Sequence, residues 1–148
     1  MMLDMVRLEA SAKLNRQRKV ELGQFLTPSS VARYMASLFP VGSLETARLL
    51  DAGAGVGSLS AAFLDRWASG DFPFKQVEAT AYEIDDSLRR HLSRTLEGYA
   101  ARLNFGLHIQ GTDFIEAAIN QIQFHPRQRF THAILNPPYK KIGSHSRH

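Results

Sequence analysis

The segment Leu49-Leu50-Asp51-Ala52-Gly53-Ala54-Gly55-Val56-Gly57 constrains the fold of this chain more than any other. It reads as a buried strand that runs into a glycine-rich turn, with a helix following from about Ser58 to Trp67. Glycines at alternate positions let the backbone pass close to a ligand. The helix that starts directly afterwards offers its unpaired N–H groups at the same place. Such a turn serves several kinds of nucleotide-like ligand, so the turn alone does not choose among them. What it does fix is the unit: a strand, a tight turn and a helix, the first half of a βαβ crossover.

The rest of the chain repeats that unit. Apolar runs at Val77–Ile84, Phe105–Gln110 and Thr131–Leu135 alternate with helical patterns from Ala47 to Leu135. The alternation predicts an α/β fold, a parallel sheet with helices on both faces and a ligand at the carboxyl ends of the strands. The helix after Asp85 carries Leu88, Leu92, Leu96 and Tyr99 on one side, with Arg89, Arg90 and Arg94 elsewhere on it. Thr27-Pro28 predicts a helix start, because threonine can cap and proline suits the first turn. That helix runs through Val31, Tyr34, Met35 and Leu38, a stripe at core-packing spacing, and stops before Pro40. Residues 3 to about 19 read as a polar helix of poor periodicity, an N-terminal extension over 1–22. Residues 143–148 read as a tail.

A chain of 148 residues with 44% hydrophobic and 22% charged residues is one ordinary globular domain. It has no cysteine, hence no disulfide and no cysteine-based metal site. No apolar run is long enough to span a membrane, and the N-terminus is too charged for a signal peptide, so a cytoplasmic protein without a membrane partner is the expectation. The net charge of +4 is compatible with DNA without requiring it. Lys13, Arg16, Arg18 and Lys19 form an early basic run, which reads either as a solvated face or as a DNA contact.

Chemistry-bearing residues gather at the strand ends. Glu83-Ile84-Asp85 ends the second strand, where a carboxylate can accept from a ribose diol. Asp85 reads more readily as a cap for the helix behind it. Gly111-Thr112-Asp113-Phe114 adds another carboxylate and a ring, and Asp113 reads equally as a helix cap or a ligand contact. Asp51 reads as a loop cap or a ligand contact; Gly53, Gly55 and Gly57 read as a tight turn or a cofactor cradle. Ile84 and Phe114 read as core, Phe25 and Thr27 as loop, and His132 as structural. The fourth strand runs into Asn136-Pro137-Pro138-Tyr139. An amide oxygen, two donor-free prolines and an aromatic ring make a site that accepts hydrogen bonds from a planar amine and stacks on its ring.

Taken in order, Gly-Gln-Phe-Leu-Thr-Pro (23–28), Asp-Ala-Gly-Ala-Gly-Val-Gly (51–57), Glu-Ile-Asp (83–85), Gly-Thr-Asp-Phe (111–114) and Asn-Pro-Pro-Tyr (136–139) resemble the S-adenosylmethionine-dependent DNA adenine-N6 methyltransferases of restriction–modification systems. The arrangement is similar to their gamma class, in which cofactor motifs precede the catalytic one. The resemblance covers nearly all of 20–142. It implies a Rossmann-like class I methyltransferase fold with a partial methyltransferase domain over 23–142, truncated after the fourth strand. It implies S-adenosyl-L-methionine as cofactor, held by Thr27, Asp51, Gly53, Gly55, Gly57, Glu83, Ile84, Asp113 and Phe114. Within that set it places Thr27 near the methionine part, Asp113 on the adenine amine, and Ile84 and Phe114 on either side of the adenine ring. It implies Asn136, Pro137, Pro138 and Tyr139 as catalytic residues and no metal. Its implied partners are double-stranded DNA with a flipped adenine and a cognate restriction endonuclease.

Three other readings share these residues. The same acceptors suit a planar amine on RNA or on protein glutamine. A non-catalytic remnant accounts for a chain that stops just past Tyr139, before the further strands and recognition domain the resemblance implies. A dinucleotide-dependent dehydrogenase suits the glycine turn but leaves Asn-Pro-Pro-Tyr without a role.

Overall fold

The computed structural model describes residues 3–6, 8, 26–124 and 129–137. Strands β1 (Thr46–Ala52), β2 (Gln76–Tyr82), β3 (Phe105–Gln110) and β4 (His132–Ala133) form one parallel sheet in the order β3-β2-β1-β4. Helix α1 (Ser29–Ser37) precedes β1. Helices α2 (Ser58–Ala68), α3 (Asp86–Ala100) and α4 (Phe114–Phe124) make the successive crossovers. The register sets Asp51 beside Ala81 and Leu50 beside Ala133. Strand β4 lies at one edge of the sheet among the described residues.

The order of the strands decides where the helices go. The connections β1 to β2 and β2 to β3 step one way along the sheet, and β3 to β4 steps back past both. Right-handed crossovers then put α2 and α3 on one face and α4 on the other. The core lies on the first face. There Leu59, Phe63, Leu64 and Trp67 of α2 and Leu92 and Leu96 of α3 pack on Leu49, Val77, Ala79 and Phe105 of the strands. Each large side chain buried this way contributes about 1.5–3 kcal/mol. Along β2, Val77, Ala79 and Ala81 are buried while Gln76, Glu78 and Thr80 are half-buried. The second face is thus less apolar than a run of sheet-core residues would make it, and α4 leaves Ile115, Ile119 and Ile122 exposed.

Two local details bear on the site. The leucine stripe of α3 is buried as expected, and Asp85 caps the helix: its Oδ1 accepts from Ser87 N (2.9 Å) and Leu88 N (3.1 Å). Helix α1 departs from expectation. Of its stripe only Met35 packs on the core; Val31, Tyr34 and Leu38 face outward, 45%, 65% and 65% exposed, while Ala32 and Ala36 are fully buried. The alanines win because α1 lies close against α2, where small side chains let two backbones approach. Arg66 of α2 then donates through Nη1 to Ala36 O (2.8 Å) and Phe39 O (2.9 Å), satisfying carbonyls at the end of α1. Thr27 does not cap α1 either. Pro28 occupies the N-cap position, its carbonyl accepting from Ala32 N (3.0 Å). Asp4, from the helical residues 3–6, accepts from Ser29 N (3.1 Å) and Ser29 Oγ.

Strand β4 is short but anchored. The ring of His132 sits 5.3–5.5 Å from those of Phe39, Phe63 and Phe74, and burial lowers its pKa. This is the structural role expected of it. Of the N-terminal extension, only residues 3–6 and 8 are described; Phe25, the early basic run and the tail lie outside the described residues.

Candidate functional site

Every strand delivers residues to one cavity at the carboxyl edge of the sheet. Its volume is about 350 Å³, within the range of small-molecule sites. The loop after β1 contributes Gly53, Ala54 and Gly55, and β2 contributes Glu83 and Ile84. Thr112, Asp113 and Phe114 follow β3, Leu135, Asn136 and Pro137 follow β4, and Leu26 and Thr27 close the remaining side.

The glycine loop is shaped by left-handed residues. Gly55 has φ +58°, and a Cβ built there would come within 2.9 Å of Leu26 Cδ2. Gly57 has φ +89° at the N-cap of α2, where a Cβ would meet Leu92 Cδ1 at 2.9 Å. Gly57 is therefore a packing residue between α2 and α3 and does not line the cavity. Gly53 N and Ala54 N both donate to Tyr82 O (2.9 Å), which pins the loop to the end of β2.

Glu83 ties three elements together. Its Oε2 accepts from Gly55 N (2.8 Å) and its Oε1 from Asp85 N (2.9 Å), joining the glycine loop to the start of α3. Burial raises its pKa, against those two backbone hydrogen bonds. The residue also lines the cavity, where a carboxylate is the kind of group that accepts from a vicinal diol. Arg89, which the sequence reading left without a role, donates through Nη1 to Glu83 O (2.7 Å) and pairs with Asp86. Its only sequence signal was its place one turn into the helix behind Glu83.

Ile84, half exposed, and Phe114 both line the cavity; the Phe114 ring sits edge-on to Tyr82 at 5.2 Å. Asp113 is exposed and caps α4 through Oδ1, accepting from Ile115 N (2.8 Å) and Glu116 N (3.1 Å). The helix-cap reading of Asp113 is thus the one observed, and the residue also lines the cavity.

Asp51 is placed differently from the ligand contact the resemblance implies. It is fully buried beneath the loop and does not line the cavity. Ser60 Oγ donates to its Oδ2 (2.6 Å), and its Oδ1 is buried without a partner. Burial pushes its pKa from 3.8 up to about 7, against the hydrogen bonds from Ser60. The physical reason is the strand itself: Asp51 is the penultimate residue of β1, and its side chain faces the first turn of α2.

On the opposite rim, the Asn136 side chain donates through Nδ2 to Thr27 Oγ1 at 3.0 Å. Thr27 is nearly buried. Pro137 is exposed on the cavity, and Pro138 and Tyr139 lie outside the described residues. Leu26, Val56, Leu59, Tyr82 and Leu88 also line the cavity and were not singled out from sequence. Leu26 and Val56 are the apolar members of two motifs and Leu88 was read as helix packing, while Leu59 and Tyr82 carry no motif. Among the described residues no group of His, Asp or Glu could hold a metal, and no helix is long and apolar enough to cross a membrane.

No protein-family model matches the chain. It is 45% identical over 138 residues to the type II methyltransferase M.BsuBI of Bacillus subtilis, an alignment covering 89% of this chain and 27% of that protein. It is 36% identical over 156 residues to the type II methyltransferase M.PstI of Providencia stuartii, covering 99% and 29%. The chain thus spans less than a third of the length of these curated relatives. Among solved structures, a modification subunit ascribed to a type I restriction enzyme of Vibrio vulnificus YJ016 matches with a TM-score of 0.60 at 18% identity, over 93% of this chain and 28% of that one. A protein of Listeria monocytogenes ascribed to the class I S-adenosylmethionine-dependent methyltransferases matches with a TM-score of 0.52 at 19% identity, over 74% and 31%. At those identities the likeness is one of fold. By sequence the chain is a relative of the type II restriction–modification methyltransferases, and its four parallel strands carry the Rossmann-like class I methyltransferase fold.

Proposed function

We propose that this chain is the cofactor-binding and catalytic segment of a DNA methyltransferase acting on adenine N6, with S-adenosylmethionine as methyl donor. The observation that carries the reading is that Asn136 and Pro137 line the same cavity as Glu83 and the glycine loop. The 45% identity to a type II methyltransferase supports DNA as the substrate class. The residues fit the cofactor: the backbone of Gly53 and Gly55 lines the cavity, the Glu83 carboxylate suits a ribose diol, and Ile84 and Phe114 offer faces to a purine. Asp113 keeps an oxygen for the purine amine.

When bound there, S-adenosylmethionine supplies an electrophilic methyl on a sulfonium. The chain supplies the acceptors. An adenine N6 lone pair is delocalised into its ring, which makes N6 a poor nucleophile. Asn136 Oδ1 and the Pro137 carbonyl accept the N6 hydrogens, favour a more tetrahedral nitrogen and spread the positive charge that grows on it. Tyr139 stacks on the base, which must leave the duplex to be reached. Holding both partners in line contributes much of the remaining acceleration. In the intact protein we place a cognate endonuclease as functional partner, residues 23–142 as part of the methyltransferase domain and 1–22 as its helical extension.

The test has two stages. Calorimetry with the 148-residue chain should register S-adenosylmethionine binding and no comparable binding of NAD. The intact methyltransferase, incubated with labelled cofactor and unmethylated DNA, should yield N6-methyladenine on nucleoside digestion. Label in cytosine, in RNA or in protein glutamine instead, with DNA adenine unlabelled, refutes the proposed substrate.

A further inference from the structure

We infer that Thr27 is a positioning residue that holds the Asn136 amide with its oxygen end left for the substrate amine. The inference rests on the proposed function, which makes Asn136 an acceptor for an amine. An asparagine amide has a donor end and an acceptor end of nearly equal shape. Only one orientation serves an amine: Oδ1 toward the N–H donors. The reverse orientation sets Nδ2 against them, donor to donor. In this structure Thr27 Oγ1 holds the orientation that serves, by accepting from Nδ2 at 3.0 Å across 109 residues of sequence.

The hydroxyl is itself held in place. Thr27 is 8% exposed and lines the cavity beside Leu26. Pro28 follows it at the N-cap of α1 with φ −60°, so the chain cannot swing at that bond. The next residue, Ser29, is fastened through both its N–H and its hydroxyl to the Asp4 carboxylate. A segment near the N-terminus therefore fixes the start of α1, the start of α1 fixes Thr27, and Thr27 fixes the amide at the end of β4. This gives the hydroxyl a task separate from any contact with the cofactor.

Two measurements test it. The first needs no substrate: the ¹⁵N side-chain amide signal of Asn136 in the 148-residue chain, assigned by its loss in Asn136→Ala. In the native chain one Nδ2 proton should be protected from exchange with water. Thr27→Val, which keeps the shape and removes the acceptor, should abolish that protection, and Thr27→Ser should retain it. The second is methylation by the intact enzyme. Thr27→Val should lower kcat about tenfold, the order of one lost neutral hydrogen bond. Thr27→Ser should restore kcat. Protection that survives Thr27→Val, or a native kcat in that variant, overturns the inference. Native methylation by Asn136→Ala would instead remove the proposed function, and the amide spectrum would still report whether Thr27 holds the side chain.

Discussion

Asp51→Asn separates charge from shape at the most deeply buried carboxylate beneath the site. The native carboxyl has Ser60 Oγ on one oxygen and no partner on the other, and burial pushes its pKa from 3.8 to about 7. That is a shift of about three units, or ~4 kcal/mol at about 1.36 kcal/mol per unit. The sign follows from linkage. An acid whose folded pKa is raised keeps its proton in the folded chain after the unfolded chain has lost it. Between about pH 4 and about pH 7 the folded chain binds more protons, so the contribution of this site to stability falls as pH rises. Above about pH 7 the full cost of a buried, ionised carboxylate is present. Asparagine keeps an oxygen for Ser60 and never ionises. Its amino group meets the unpartnered side, a pH-independent penalty of about 1–3 kcal/mol. The observable is therefore the difference in unfolding free energy between variant and native chain, followed across pH rather than at one value. Urea unfolding read by the fluorescence of the single tryptophan, the buried Trp67, supplies it. The difference should move by ~4 kcal/mol in favour of the variant from pH 4 to pH 8. A difference that stays flat over that range would show that Asp51 titrates like an exposed carboxylate and that the burial argument is wrong.

Three further outcomes are expected. Asn136→Ala in the intact methyltransferase should lower the rate by roughly 10²–10³-fold, by analogy with removing one oxyanion-hole group, while cofactor affinity by calorimetry stays put; a native rate removes Asn136 from the chemistry. Glu83→Ala should weaken S-adenosylmethionine binding by about 1.5–3 kcal/mol and also lower the melting temperature, because Gly55 N and Asp85 N lose their acceptor. Glu83→Gln should cost less on both counts, and unchanged affinity in both variants puts the ribose elsewhere. Gly55→Ala should cost about 1–2 kcal/mol of stability from its left-handed backbone and crowd Leu26, so an unfolding curve that overlays the native one contradicts the loop geometry.

How far the sequence could be read depended on whether a residue had local competitors for its role. The stripe Leu88, Leu92 and Leu96 was legible because α3 is otherwise polar, so only one face could be buried. The strand ends were legible because glycines, carboxylates and the Asn-Pro pair interrupt apolar runs, and the topology of a parallel sheet brings such interruptions to one edge. Helix α1 has two candidate faces. Periodicity favours Val31, Tyr34 and Leu38 for their size, but the buried one is Ala32 and Ala36, chosen by the approach of α2 and sealed by Arg66. No window of α1 contains that information. Asp51 shows the same limit: beside a glycine loop it reads as a ligand contact, and only the packing of α2 reveals Ser60 as its partner. Thr27 is the sharpest case. Its position before proline is a local cap signal, and the cap is supplied instead by Asp4 from the N-terminal segment. The hydroxyl so released is the one that accepts from Asn136. A local rule assigned the oxygen to the backbone three residues ahead, and the fold assigned it to the side chain that the chemistry needs held still.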